Sequence, residues 1–456
     1  MGANWSTVRL GDYVDSCLGK MLDKKKNKGN PAPYIGNKNV RWGSFDIEDL
    51  SQMPFEEHES ERYGIKYGDL IVCEGGEPGR CAIWKEQIPE MKIQKALHRV
   101  RAKEGLNNSF LYYWFLWAGK NGRLEPYFTG TTIKHLTGKA LAELPVPKPP
   151  MDIQASIAKT LGGFDDKIEL NRQINQTLEQ MAQALFKSWF VDFDPVIDNA
   201  LEDGNGIPAE LQDRAERRKE QIAKPDHQPL PDDIRKLFPS EFEFTEEMGW
   251  VPKGWECRPV GKVIENVGGG TPQTKEDSYW VNGKFPFCTP KDMSGLTSKV
   301  LLNTERHLTD LGVSKISSGV LSVGTVLMSS RAPIGYLAIT QTPVSVNQGV
   351  IALKPSEQFS SEYLLCWAET NMDQVISRAN GSTFLEISKK NFRDIPFLIP
   401  CEKVNREFDR IVRPFFSRIT ALQIENMTLK QTRDRLLPKL ISGDVEVTIM
   451  SQAGSE

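Results

Sequence analysis

The side chains best suited to chemistry in this 456-residue chain are scattered, not clustered. Five histidines, at 58, 98, 135, 227 and 307, form no HxxxH or HExxH pair. Those are the spacings that aim two ring nitrogens from one helix face at zinc. Seven cysteines, at 17, 73, 81, 257, 288, 366 and 401, include no CxxC pair. An odd, widely spaced set fits reduced thiols in a cytoplasm better than a disulfide framework or a zinc site. Glu74, Glu77 and Lys85 come nearest to the carboxylates and lysine of a metal-dependent nuclease. A second copy of that stretch has Ser330, Pro333 and Gln341 in their places. No GxxxxGK[ST] loop is present to cradle phosphates, so ATP-driven movement is not expected of this chain. Nor is there the Asn/Asp-Pro-Pro-aromatic tetrapeptide an adenine methyltransferase would need. Gly268-Gly269-Gly270, before Thr271-Pro272, reads as a turn rather than a cofactor loop. Neither a catalytic residue nor a metal ligand is expected, and the chain reads as a binding module.

The elements that position such a module repeat. Trp5 and Gly11 align with Trp255 and Gly261, an offset of 250. GDLIVCEGGEPGRCAIW from Gly68 aligns with GTVLMSSRAPIGYLAIT from Gly324 at 256. Phe110, Leu111 and Trp114 match Tyr363, Leu364 and Trp367 at 253. Gly130-Thr131-Thr132 matches Gly381-Ser382-Thr383 at 251, and so does FDDKIELNRQINQTL from Phe164 with FFSRITALQIENMTL from Phe415. Offsets that drift slightly while the order holds mean loop insertions in two copies of one unit. Within each copy, short apolar runs bounded by Gly and Pro (DLIVCE, GVIALKP) predict strands, and FLYYWFLWAG and EYLLCWAET predict buried helices.

After LPVPKPP a long helical pattern begins. Positions 157, 161, 164, 168, 171, 175, 178, 182, 185 and 189 step by four and three, as do 408, 412, 415, 419, 422, 426, 429, 433, 436 and 440. A 3-4 spacing over about five heptads is a coiled-coil seam. Two matched seams in one chain predict that they pair with each other. Asn175 and Asn426 fall at equivalent seam positions, where an amide either penalises misregistered pairing or sits in a wet stretch. The expected fold is α+β: two pseudo-symmetric mixed α/β domains, 1–150 and 251–400, joined by two long antiparallel coiled-coil helices, 151–194 and 401–443. Residues 195–250 hold six prolines and 14 Asp and Glu against 7 Lys and Arg. That segment reads as an acidic surface linker with one short polar helix, and 444–456 as a flexible tail. Elsewhere 50 basic residues face 46 acidic ones, so the overall charge of −3 conceals a mildly basic remainder that permits DNA binding. MGANWSTVRLGDY opens without a signal peptide's pattern and no apolar run reaches membrane-spanning length, so a cytoplasmic location is expected.

Globular domain, long helix, globular domain, long helix resembles the specificity subunits of type I restriction enzymes. Pro147, Pro149 and Pro150 followed by Gln154, Ile157, Ala158 and Leu161 are similar to the family's proline-rich approach to its first central helix. NQTLEQMAQALFKSWFVDFDP and LFPSEFEFTEEMGWVPKGW also look like family segments. The second copy departs from the pattern, with Cys401 for the last proline and Asn405 for the glutamine. The resemblance implies two target recognition domains, each reading one half of a split double-stranded DNA site, with the helices fixing the gap. It implies no cofactor in this chain. S-adenosylmethionine would belong to two partner methyltransferase subunits that flip an adenine in each half-site. ATP and magnesium would belong to a separate motor-nuclease restriction subunit.

Polar and basic residues in Gly- or Pro-marked loops are the candidate DNA contacts, since they can reach phosphates or base edges. They are Asn37, Lys38, Asn39, Arg41, Thr131, Thr132 and Lys134 in the first domain. In the second they are Thr271, Gln273, Lys275, Lys291, Ser330 and Arg331. The open alternatives are the specificity subunit of a combined restriction-methylation (type IIB-like) enzyme and a coiled-coil scaffold that binds no DNA.

Overall fold

In a computed structural model, residues 5–23, 25, 27–381 and 385–445 are described. Ser382, Thr383 and most of the expected tail (446–456) lie outside the described residues. The apolar runs become strands where every position is covered. Leu70–Cys73 (LIVC) is buried throughout and lies inside a sheet ordered Val14–Leu18, Leu97–Ala102, Leu70–Cys73, Cys81–Ile83, with antiparallel neighbours. Its counterpart Val326–Ser330 is also buried throughout, in a sheet ordered Asn266–Gly268, Val350–Leu353, Val326–Ser330, Ile334–Thr340. The second copy adds Val300–Leu301 in parallel at the edge.

A smaller sheet repeats too. Asn30–Ile35 pairs antiparallel with Ser51–Phe55 and parallel with Lys92–Ile93. Phe285–Cys288 pairs antiparallel with Arg306–Leu308 and parallel with Ser345–Val346. Each module is closed by its own ends, Ser6–Arg9 against Pro145–Lys148 and Glu256–Pro259 against Pro396–Ile399. The aromatic-rich helices Asn108–Lys120 and Ser361–Thr370 are capped by Asn107 and Ser360 and bury most of their apolar side chains.

The long helices run Met151–Phe190 and Glu402–Ser442, each about 60 Å at roughly 1.5 Å per residue. None of the twenty seam positions is exposed. The chain forms two units, Met1–Ile168 with Met427–Glu456, and Glu169–Asn426, so each long helix contributes to both. In the first unit Ile157 and Leu161 share a core with Leu437, Leu440 and Ile441. In the second, Asn171 bonds to Asn426 while Phe186 packs on Phe408 with ring centroids 5.8 Å apart. Residue numbers rise along one helix as they fall along its partner, so within each unit the pairing is antiparallel.

The two junctions of helix and globule differ in chemistry. In the first unit Tyr113 donates to Asp165 (2.7 Å), Arg433 pairs with Asp165 and Asp434, and Lys120 donates to Asp434 (2.7 Å). At offset 251, Asp165 corresponds to Phe416 and Arg433 to Ala182, and there the second unit builds an apolar cluster with Phe186, Phe190, Tyr363 and Phe408.

The acidic 195–250 segment is packed rather than spread over the surface as expected. Pro195, Val196, Ile197 and Ala200 of the helix Asp194–Asp203 are buried, and Val196, Ile234 and Phe238 join the second unit's core. Asn199 ties the segment to itself through the carbonyls of Arg235 and Phe238. The polar helix is present as Gln212–Ile222, and its Arg218 pairs with Asp198.

Candidate nucleic-acid interface

At one end of each module the same backbone hydrogen bonds gather the same loops. Gln94 N–H donates to the Ile35 carbonyl (3.0 Å), and at offset 253 Asn347 donates to Cys288 (3.0 Å). Glu74 N–H donates to Ala96 (2.8 Å) and Ser330 to Gly349 (2.8 Å). Leu136 donates to Glu74 (2.7 Å) and Ile387 to Ser330 (3.0 Å). Thr129 and His135 bond to each other's backbone and hold Gly130–Lys134 out as a loop, and Asn380 and Glu386 exchange the same pair of backbone bonds. In the glycine turn, Gly269 runs so close to the Val346 carbonyl that a Cβ would not fit. This is why Gly268-Gly269-Gly270 brings Thr271 to the cluster, where its hydroxyl donates to Gln348 Oε1.

The candidate contact residues divide by burial and by what already holds them. Thr131, Thr132 and Lys134 are exposed on the Gly130 loop, beside an exposed Ile133. Gln273 and Lys275 are exposed as well. Lys38 and Lys291 are exposed but paired, with Asp49 (2.8 Å) and Glu305 (2.9 Å). Arg41 reaches back to the Lys38 carbonyl and to Asp46, and Arg331 lies 3.5 Å from Glu386. Asn37 is half-buried and donates to the Gly75 carbonyl (3.0 Å) while accepting from Arg80, so it braces two loops.

Two assignments are corrected by burial. Asn39 is 3% exposed, accepting from Gly36 N–H and donating to the Asp46 and Asp49 carbonyls. Ser330 is 2% exposed at the end of a core strand. Neither side chain reaches the surface. The two register candidates differ: Asn426 accepts from Asn171 (2.9 Å), whereas the buried amide of Asn175 has no hydrogen-bond partner. Lys95, exposed beside Ala96, and Gln348 belong to the same clusters and were not anticipated. The signal was available, since QKA at 94–96 and NQG at 347–349 stand at the repeat's own offset of 253.

Other side chains singled out for possible chemistry make structural contacts. Glu77 accepts from Trp42 Nε1 (2.7 Å) and Arg80, and Lys85 pairs with Asp166 on the first long helix. Glu77 and Lys85 thus serve separate contacts. Among the described residues no His, Cys, Asp or Glu side chains gather in threes as metal ligands would. His98, under the Gly130 loop, donates from Nε2 to the Leu136 carbonyl (2.9 Å), and burial pushes its pKa down. Gln154, from the family-like approach to the first helix, is fully buried and fastens that helix to Asn107, Gly105 and Pro149. Asn405 replaces it with a single contact, to the Gln358 carbonyl. Among the described residues no helix is long and apolar enough to cross a membrane.

A family model described as the type I restriction modification DNA specificity domain matches residues 2–180 and again 252–431. The type I restriction enzyme HindI specificity subunit of Haemophilus influenzae is 30% identical over 332 residues, covering 69% of this chain and 72% of that one. The MjaIX specificity subunit of Methanocaldococcus jannaschii is 23% identical over 97% of this chain and 94% of its own length. Among solved structures, the S subunit of a type I restriction-modification system from M. genitalium superposes with a TM-score of 0.50 over 96% of each chain, at 16% identity. That last likeness concerns the fold alone. Two matches of one family model, set on two modules with the same sheets and the same loop hydrogen bonds, place this chain in the type I restriction-modification DNA specificity family.

Proposed function

We propose that the chain reads DNA for catalytic partners, one module for each half of a bipartite site, and carries out no reaction of its own. The observation that carries this reading is the pair of loop clusters. Their backbone hydrogen bonds coincide while their side chains differ, as two readers of different half-sites require. Direct readout needs polar groups on a rigid frame, and phosphate contacts can come from the exposed lysines around it. In this reading two methyltransferase subunits grip the outer faces of the long helices, where Lys159, Arg172, Gln176 and Lys187 are exposed. Those subunits carry S-adenosylmethionine, and a restriction subunit brings ATP and magnesium to the same cytoplasmic complex. Methylated adenines mapped across genomic DNA, with and without this gene, test the proposal. A split motif that disappears with the gene is expected. Unchanged methylation would leave the DNA-free scaffold as the better account.

A further inference from the structure

We propose that Arg306, held flat on Trp280, determines specificity in the second module by donating two parallel hydrogen bonds to the O6/N7 edge of a guanine. This inference rests on the DNA-reading role proposed above and names a residue for it. The Arg306 guanidinium carbon lies 3.5 Å from the Trp280 ring centroid, a stacked arrangement that fixes its plane. Stacking uses the face of the guanidinium and leaves the N–H fork along its edge unspent. The other arginines of this module spend theirs: Arg258 on Glu256, Arg331 on Glu386, Arg378 on the Asp394 carbonyl and Arg393 on Asn266. Among the described residues Arg306 donates no side-chain hydrogen bond and forms no ion pair, although it is exposed. Its neighbour Glu305 is engaged by Lys291 (2.9 Å), leaving that carboxylate occupied.

The platform beneath is built. Trp280 packs edge-on to Phe287 and donates from Nε1 to the Gln273 carbonyl (3.0 Å), which joins it to the Thr271–Lys275 loop of the candidate interface. Thr304 accepts from Phe287 N–H (2.9 Å) and donates to the Arg306 carbonyl (2.8 Å), anchoring the backbone from which the side chain projects. A phosphate contact needs no such lock, because any mobile loop lysine provides one. A fork aimed at two fixed acceptors does need it. The first module supports the distinction. Phe287 pairs with Arg306 in the small sheet, and the equivalent Tyr34 pairs with Ser51. The frame is duplicated and the arginine is not, which suits a residue reading one half-site rather than a backbone anchor common to both.

The test is adenine-methylation mapping with the full chain in its complex with the methyltransferase subunits, comparing wild type, Arg306→Ala and Arg306→Lys. The expected result is loss of guanine selection at one position of one half-site, by about 5- to 100-fold, with the other half-site intact. That second half-site reports folding and assembly in the same reads. Arg306→Lys keeps charge and stem but lacks the fork, so it is expected to lose the same selection. Where Arg306→Ala yields no methylation at all, Arg306→Lys decides. An unchanged motif in either variant, or a uniform fall in methylation with the motif preserved (a phosphate contact), overturns the assignment. A wild-type complex with no sequence-dependent methylation would instead defeat the DNA-reading role itself.

Discussion

Asn175 and Asn426 occupy the same place in two equivalent helices and live in different circumstances. Asn175 is 1% exposed with both amide atoms unpartnered, whereas Asn426 accepts from Asn171, which also donates to Glu425. A buried amide without partners costs about 1–3 kcal/mol, so Asn175→Leu is expected to raise the thermal midpoint. Asn426→Leu removes a made bond and is expected to lower it, through a loss of roughly 0.5–1.5 kcal/mol of folding free energy. Thermal denaturation of both variants separates the roles, and equal stabilisation would dismiss Asn426 as a register residue. His98 makes a second residue-scale prediction. Burial depresses its pKa below the ordinary 6.5, so the folded chain takes up this proton at lower pH than the unfolded chain does. Unfolding therefore binds a proton in that window, and stability falls as pH drops below about 6.5. Denaturation midpoints between pH 7.5 and 5.5 should slope less for His98→Gln than for wild type. An identical slope would show that His98 does not carry the effect.

Among the elements, the long helices were the most legible, because a 3.5-residue apolar period survives any tertiary context. All twenty positions read from that period are covered, including Asn171 and Arg433, whose side chains break the apolar pattern. The strands were legible as apolar runs, but their partners were not. Ser6–Arg9 pairs with a strand more than 130 residues later, and no local signal encodes that. Ser330 is buried by such a pairing, at the end of a core strand, and Asn39 by its own bonds to Gly36, Asp46 and Asp49; a loop-like, polar local sequence misplaced both. The 195–250 segment misled for a related reason: Val196, Ile234 and Phe238 stand in short apolar stretches separated by charged and polar residues, and only the fold brings them to one core. The regular seam also makes the helices testable as spacers. Seven residues inserted between Gln173 and Leu185, with seven at the facing stretch of the second helix, preserve the heptad phase. At roughly 1.5 Å each they add about 10 Å, near three base pairs, so the recognised gap should lengthen by about that much with both half-sites unchanged. Motif mapping gives the answer, and altered bases would mean that the helices take part in reading.

For the whole molecule, duplication and charge together define what the chain can do unaided. A net charge of −3 is unpromising for a polyanion's partner, yet the acidic excess is concentrated in 195–250, and that segment packs its apolar residues into the second unit. The loop clusters keep Lys95, Lys134 and Lys275 exposed, with no ion pair among the described residues. DNA affinity should accordingly fall steeply with salt, as each phosphate neutralised by a lysine or arginine releases counterion at a slope of about −0.9. Several of the groups that could do chemistry are meanwhile engaged in structure: Glu77 with Trp42, His98 with Leu136, and Cys73, Cys81, Cys288 and Cys366 in the core. The purified chain, shown by mass spectrometry to lack partners, is therefore expected to transfer no methyl group and cut no DNA when given S-adenosylmethionine, magnesium and ATP. Adding methyltransferase subunits should restore methylation at the bipartite motif. Robust methyl transfer or cleavage by the isolated chain would mean that the modules hold a reaction centre among side chains now assigned to structure.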